Sequence, residues 1–385
     1  MNDPSRTRFH KKGLRLGLIL AALLSLYLIW LTVHLIRFRA YTSTPDPDSI
    51  HEVTGAYHIH SAHSDGRKDV AAIAREGARA GLEFVILTDH GHPNLESLAS
   101  QGWKQGTLVL AGSELSVNRG HLVALGLEDP YPQFSQNAEI SAAQIRAARG
   151  LSVIAHPYSK VAWSWGPEAG YSGLEIINAD SMLRKDFLIT LAFLPALLIN
   201  PRLTLLKTLD RPEKNLAKWD KMNRNGRVFG FYSTDAHLLY RSLFTLLNLH
   251  CLLNDSLAPD FTAAREQIQE ALRQGRFFNA VDAAAHSRGF RFTGRRHGEI
   301  IPMGSAVPWK SEIELIVRTP YAFAHETRLL YNGQPIADSR GGELIVPAEA
   351  AGVYRVEVYL RERTPLKRDI PWIISNPIFL LEKTS

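Results

Sequence analysis

The sequence predicts an α/β protein built on a mostly parallel sheet, open or closed into a barrel, with a smaller β-rich module after it. Three observations predict this. Between His51 and Asp282 short apolar strands alternate with helical stretches, as in folds built from βα units. Most of those strands run directly into His, Asp or Glu, at the ends where α/β folds gather their reactive groups. From about Ser287 the helical pattern gives way to period-two alternation.

The elements follow in chain order. Leu16 to Ile36 is a 21-residue stretch without Asp, Glu, Lys or Arg. At 1.5 Å per residue it spans roughly 30 Å, one hydrocarbon core. It exceeds the core of a signal peptide, and Arg37-Phe38-Arg39 follows it in place of a small-x-small cleavage site, so a retained anchor is expected. Five basic residues precede the span and two follow, which places the N-terminus in the cytoplasm and the bulk of the chain on the far side, the periplasm in a bacterium. Thr42 to Ser49, with Pro45 and Pro47, reads as a linker.

The same segment accounts for the charge. The 385-residue chain carries a net +6, and residues 1–40 hold seven basic residues and one acid. The rest balances at 37 of each sign, so no field steers a long nucleic acid to it. Cys251 is the only cysteine. That excludes an intrachain disulfide and a Cys-based zinc knuckle, and its apolar flanks suggest a buried thiol.

Beyond the linker, Glu52 to Tyr57 forms a strand that closes on His58 and His60. Val70 to Ala80 is helical and stops at Gly81. Glu83 to Leu87 is a strand followed by Thr88-Asp89-His90. Leu108 to Ala111 leads to Gly112-Ser113-Glu114, and His121 opens the strand Leu122 to Leu125. Ala142 to Arg149 is helical, and Leu151 to Ala155 runs into His156-Pro157. Gly173 to Asn178 is another strand. After the helix Leu216 to Asn225, Val228 to Tyr232 leads to Asp235-Ala236-His237. Residues i and i+2 of a strand share a face, so His58 and His60 point together, with Asp65 returning from the loop behind. Nitrogen and oxygen donors gathered in this way suit zinc, manganese or iron.

These donors, in this order, resemble the PHP (polymerase and histidinol phosphatase) family. Its pattern is HxH with a trailing SDG, then TDH, an isolated Glu, a His opening a strand, a His-Pro and a closing DxH. The chain has His58-Ile59-His60, Ser64-Asp65-Gly66, Thr88-Asp89-His90, Glu114, His121, His156-Pro157 and Asp235-Ala236-His237. The resemblance covers roughly residues 51–285 and implies a distorted (β/α)7 barrel with up to three metals. It implies that His58, His60, Glu114 and Asp235 hold one metal, that Glu114 bridges to a second completed by His121 and His156, and that Asp65, His90 and His237 hold a third. Catalytic roles fall to Glu114, Asp65, Asp235 and His237. A bridging carboxylate can hold two cations about 3.5–4 Å apart, where a shared water loses a proton near pH 7.

Other residues are open at this stage. Asp89 orients an imidazole or caps a turn. His63 is a pocket wall or a surface residue. His92, Arg119 and Lys160 are candidate substrate contacts, the two cations as charge-assisted donors to phosphate. An apolar insert at about 182–208, with Phe187 to Leu206 interrupted by Pro195, Asn200, Pro201 and Arg202, is either a core helix pair or a hairpin that dips into the membrane beside the anchor.

In the C-terminal region Tyr354, Val356, Val358 and Leu360 alternate with polar neighbours, and Asn332-Gly333 signals a hairpin. A β-sandwich-like domain is expected over 287–385, giving a chain divided into a 1–40 tail and anchor, a 41–50 linker, a 51–286 metallohydrolase barrel and this module. The expected function is a membrane-anchored metal-dependent phosphoesterase acting on a small phosphorylated mono- or diester, with two or three divalent ions (Zn, Mn or Fe). The alternatives are hydrolysis of a carboxylic ester, amide or carbamate at the same site, or a short-oligonucleotide nuclease.

Overall fold

A single long helix, α1 (Pro4–Arg37), opens the structure, a computed structural model that describes residues 4–38, 51–185, 187–320 and 324–382. Its Leu14–Arg37 stretch has a mean hydropathy of 2.4 and is only 6% buried, long and apolar enough to cross a membrane. The linker expected at 41–50 lies outside the described residues. The chain then runs β1 (His51–Ile59), α2 (Val70–Ala80), β2 (Phe84–Leu87), α3 (Leu95–Ala99), β3 (Gly102–Lys104), β4 (Thr107–Ala111), β5 (Ser113–Val117), β6 (Gly120–Leu125), α4 (Ala138–Ala147), β7 (Leu151–Ile154) and β8 (Gly173–Asn178). A helical crossover follows: α5 (Ala179–Lys185), α6 (Phe187–Ala192), α7 (Leu194–Ile199), α8 (Pro201–Thr208) and α9 (Glu213–Asn223). Then come β9 (Phe229–Ser233), α10 (Tyr240–Phe244), β10 (Asn248–Leu253), α11 (Phe261–Gln274) and β11 (Phe277–Ala280).

These strands form a mixed α/β architecture. One sheet holds β11, β10, β1, β2, β4 and β3 in spatial order, and a second holds β5 to β9 in chain order. The βα units give parallel pairs at β1/β2, β2/β4, β7/β8 and β8/β9. The expectation of a mostly parallel sheet is met only there. Only Asn118 and Arg119 separate β5 from β6, and so short a connection can join strands only antiparallel. β10 lies antiparallel between β1 and β11. No continuous ladder among the described residues closes the two sheets into a barrel. They meet at two isolated bridges, Ile59 to Ala236 and His90 to Glu114. Tyr57, Ile86 and the buried Cys251 of the first sheet pack with Val123, Val153 and Phe231 of the second in one core.

Local signals set the helix ends. The Asp69 side chain accepts from the amide of Ala72 at the start of α2, and Gly81 ends the helix in the left-handed region, φ 79°. α4 begins four residues earlier than the helix expected from Ala142, because Asn137 caps it by accepting from Ile140.

The C-terminal residues are strands: β12 (Arg291–Arg296), β13 (Glu299–Pro302), β14 (Ala306–Pro308), β15 (Glu314–Arg318), β16 (His325–Tyr331), β17 (Gln334–Ser339), β18 (Glu343–Pro347), β19 (Gly352–Leu360), β20 (Ile373–Ser375) and β21 (Ile378–Leu381). β13, β12, β15 and β18 form a separate sheet, whereas β20 pairs with β11 and carries the first sheet on into β19, β21 and β14. Asn332 and Gly333, both at positive φ, turn β16 into β17 as the sequence signalled. β19 departs from simple alternation, since its expected polar face is buried too. Arg355 there grips Asp220 of α9 through Nε and Nη2 at 2.8 and 2.9 Å and Glu357 through Nη1 at 2.5 Å.

Candidate metal centre

The seam between the two sheets is where the chemistry collects. His58, His60, Asp235 and His237 flank the Ile59–Ala236 bridge, and His90 and Glu114 form the other one. His58 lies in a bulge of β1, where the register against β2 shifts between Tyr57 and Ile59. Its φ is 62°, and His156 and Asp235 also sit at positive φ, 26° and 48°. Three donors therefore occupy backbone conformations that L-residues rarely adopt, as strained functional sites do. His58 and His60 do converge, with Nε2 atoms 3.2 Å apart, but a bulge re-aims His58; plain strand alternation does not bring them together.

Four donor atoms make the deepest group. His58 Nε2 lies 3.3 Å from Glu114 Oε2 and 3.5 Å from Asp235 Oδ1. His60 Nε2 lies 3.2 and 3.4 Å from the same two oxygens. Donors held about 2.0–2.2 Å from a tetrahedral ion are about 3.3–3.6 Å from one another, so this group has the spacing of a coordination shell. The other oxygen of Glu114, Oε1, is 2.8 Å from His121 Nδ1 and 2.9 Å from His156 Nε2. Glu114 thus faces one donor group with each oxygen. At the outer end Asp65 Oδ2 lies 3.2 Å from His237 Nε2 and 3.9 Å from His90 Nε2, and Asp65 Oδ1 is 3.3 Å from His60 Nδ1. All nine donors expected from the sequence lie in this one connected cluster.

Electrostatics favour a cation here. Glu114, Asp235 and Glu175 are buried together, and ionised carboxylates in a low-dielectric interior need positive charge beside them. Burial opposes the charged form of His58, but Glu175, Asp235 and Glu114 hold its pKa well above the ordinary imidazole value. Burial likewise opposes His60, and hydrogen bonds with Asp235 and Glu114 lift it to about 9. Burial raises the Glu114 pKa less than His58, His121 and His156 lower it, and it ends far below the carboxylate range. Nδ1 of His90 is buried without a hydrogen-bond partner among the described residues, 3.4 Å from Glu114 Oε2. Imidazole and carboxylate donors so arranged point to divalent metal ions.

The cluster is graded from closed to open. His58, His60 and Glu114 have at most 1% of their side chains exposed, His121 and His237 have 19%, His90 34% and Asp65 56%. The cluster is most open at Asp65 and His90, with His121 and His237 exposed to a lesser and equal degree.

One central residue escaped the sequence reading. Glu175, in β8, accepts from Nδ1 of His58 at 2.5 Å, from the His156 amide at 2.7 Å and from Nδ2 of Asn178 at 2.9 Å. Asn178 Nδ2 also reaches Asp235 Oδ2 at 3.2 Å. The available signal was a lone carboxylate inside the apolar run Gly173 to Asn178. Of the two roles open to Asp89, the structure shows the turn. The Asp89 carboxylate accepts from the Ser61 amide and from the hydroxyls of Ser61, Ser64 and Ser97, at 2.6 to 2.7 Å, and so fixes the loop that carries Asp65. His63 stands apart, 3.0 Å from Glu96. Arg119 is paired with Glu139 at 3.1 Å, and Lys160 is exposed. Nδ1 of His92 is buried without a hydrogen-bond partner among the described residues.

No family model and no curated protein matches this chain. Solved structures do. The chain is similar to a two-domain protein from Bacteroides vulgatus containing a predicted PHP-like metal-dependent phosphoesterase, at 13% identity over 88% of this chain and 99% of that one, with a TM-score of 0.46. It is similar to a Bifidobacterium adolescentis protein assigned as a metal-dependent phosphoesterase, at 12% identity over 50% of this chain and 90% of that one, TM-score 0.33. It is also similar to an amidohydrolase from Chromobacterium violaceum with bound sulfate and no metal, at 17% identity over 48% and 87%, TM-score 0.32.

Proposed function

We propose that the protein is a metal-dependent hydrolase of the PHP type that cleaves a phosphate mono- or diester while anchored to a membrane by α1. The observation that carries it is the placement of Glu114, with one oxygen at the His58, His60, Asp235 group and the other at the His121, His156 pair. The order of the motifs, HxH to the closing DxH, supports the phosphoester class. In this reading the two sheets are the halves of a distorted barrel that meet at the donor seam, and residues 287–385 are a β-sandwich-like module built onto one of them.

Two or three divalent ions (Zn, Mn or Fe) would be held by His58, His60, Glu114 and Asp235, by His121 and His156 with Glu114, and by Asp65, His90 and His237. Bound there, they supply Lewis acidity toward phosphoryl oxygens and lower the pKa of water toward about 7. The chain's own residues do the rest. Glu175 holds His58 with Nε2 turned inward, Asp89 holds the Asp65 loop, and burial of the deep donors excludes bulk water, so charges inside act at full strength. The partly exposed Asp65, His90 and His237 meet the substrate. The five basic residues before the apolar span orient the N-terminus to the cytoplasm and the centre to the far side.

The test uses the full chain in detergent, loaded with manganese or zinc. We expect turnover of p-nitrophenyl phosphate or bis-p-nitrophenyl phosphate. Turnover of p-nitrophenyl acetate alone would overturn the phosphoester assignment in favour of carboxylic ester or amide chemistry.

A further inference from the structure

The crossover from β8 to β9 is packed against α1. Tyr27 and Leu35 of α1, with the buried Leu31, cluster with Phe193, Ala196 and Leu203. The Trp30 and Phe193 rings lie 5.0 Å apart. The Tyr27 hydroxyl donates to the carbonyl of Ala192 at 2.6 Å. Tyr27 lies ten residues before Arg37, about 15 Å along the helix axis, or half a hydrocarbon core. If α1 crosses a bilayer, the turn between α6 and α7 must lie at the depth of its middle.

The crossover is built for that depth. Residues 187–201 contain no Asp, Glu, Lys or Arg. Leu188, Leu191, Leu194, Leu198 and Ile199 are 78, 53, 50, 90 and 69% exposed. Backbone groups in lipid have to be satisfied from within the protein, and two carbonyls at the turn are. The Ala192 carbonyl accepts from Tyr27, and the Phe193 carbonyl accepts from Thr204 Oγ1 at 3.1 Å. The exposed Arg184 and Lys185 stand at one end of this segment and Arg202 at the other, where lipid headgroups would begin.

The same crossover borders the open end of the metal centre. α5 starts beside Asn178, which reaches Asp235, two residues before the partly exposed His237. α8 packs on α10, and Tyr240, the first residue of α10, donates to the His60 carbonyl at 2.8 Å. Leu238 and Leu239, next to His237, are 53 and 36% exposed. We infer that α6 and α7 are embedded in the bilayer leaflet on the catalytic side, and that the mouth at Asp65, His90 and His237 opens at its surface to take a phosphoester carried by a membrane amphiphile. The substrate half rests on the phosphoesterase reading above; the embedding rests on α1 crossing the membrane.

Two measurements on the full-length chain test it. Leu198→Cys is labelled with bimane in phosphatidylcholine vesicles; Cys251 is buried and leaves position 198 as the accessible thiol. Nitroxide-bearing lipids should quench the label several-fold more than iodide does, and the reverse order overturns the embedding. Separately, wild type and L191E/L198E are assayed on bis-p-nitrophenyl phosphate and on phosphatidylcholine vesicles carrying phosphatidic acid and phosphatidylglycerol. Wild type should release headgroup or phosphate from the vesicles. The variant should lose that activity at least tenfold and keep soluble turnover within twofold. Equal lipid turnover in the variant overturns the role of the crossover. Wild type that cleaves only the soluble diester overturns the amphiphile and leaves the phosphoesterase standing, whereas cleavage of neither overturns both.

Discussion

Oε1 of Glu175 lies 2.5 Å from Nδ1 of His58, at the closed end of the metal centre. A carboxylate can only accept, so His58 donates through Nδ1, and with a metal bound its Nε2 would face the cluster as a lone pair. Fixing the tautomer in this way orients a metal-binding imidazole and raises its basicity. Glu175→Ala should therefore weaken metal binding by about 10–100-fold, and Glu175→Gln, which keeps an acceptor oxygen without the charge, should weaken it less. Metal titration of the full-length variants checks this. Unchanged affinity in Glu175→Ala would reduce Glu175 to a packing residue.

Glu114 makes a sharper demand, since each of its oxygens faces a different donor group. Glu114→Ala should lower both metal stoichiometry and turnover, turnover by at least a hundredfold, and Glu114→Gln should fall between it and wild type. Glu114→Ala also takes from His121 and His156 the carboxylate 2.8 and 2.9 Å away, and from His58 one of the three that face it, so stability is measured beside activity. Full activity at wild-type metal content would remove the bridging role.

The donors were legible in the sequence because metal chemistry confines them to a few residue types and the βα pattern locates the strand ends. The reasons they converge were not. His58 turns inward through a bulge, and a one-residue register shift leaves no trace in composition. Glu175 looked like one polar residue in an apolar strand, since its partners are 117 and 19 residues distant in sequence. Long-range pairing hid the rest. The alternation in β19 read as one wet and one dry face, but Asp220 of α9 covers the wet one. The antiparallel β10 was hidden inside a stretch that read only as apolar.

Gly66 tests the loop that carries Asp65. Its amide donates to the Ser61 carbonyl at 2.9 Å, and a Cβ placed there would fall 2.1 Å from the His60 carbonyl oxygen. Any side chain must push the loop off β1. Gly66→Ala should cost about 1–3 kcal/mol of stability and weaken the outer group of Asp65, His90 and His237 more than the deep one. Metal analysis should show the loss of one weakly held ion. Wild-type stoichiometry and affinity would contradict the coupling.

His250 gives a pH dependence outside the metal centre. It is buried in the first sheet, with Nδ1 2.8 Å from Glu52 and Nε2 2.8 Å from Asp282, and stacks on Phe278. Burial disfavours its charge, but Asp282 and Glu52 outweigh that and raise its pKa to about 9, against about 6.5 in an unfolded chain. The folded state thus holds this proton more tightly. The stabilisation is complete below about pH 6.5, declines above it and is lost as the pH passes about 9, a change of about 3 kcal/mol. Glu52 and Asp282 have lowered pKa values despite their burial, so their own contribution appears above the acid range and is constant across this window. Denaturant unfolding of the full-length protein between pH 6 and 10 should show the alkaline decline, and His250→Gln should be less stable at pH 6.5 and decline less steeply over the same range. An identical slope in both proteins would assign the decline to other groups.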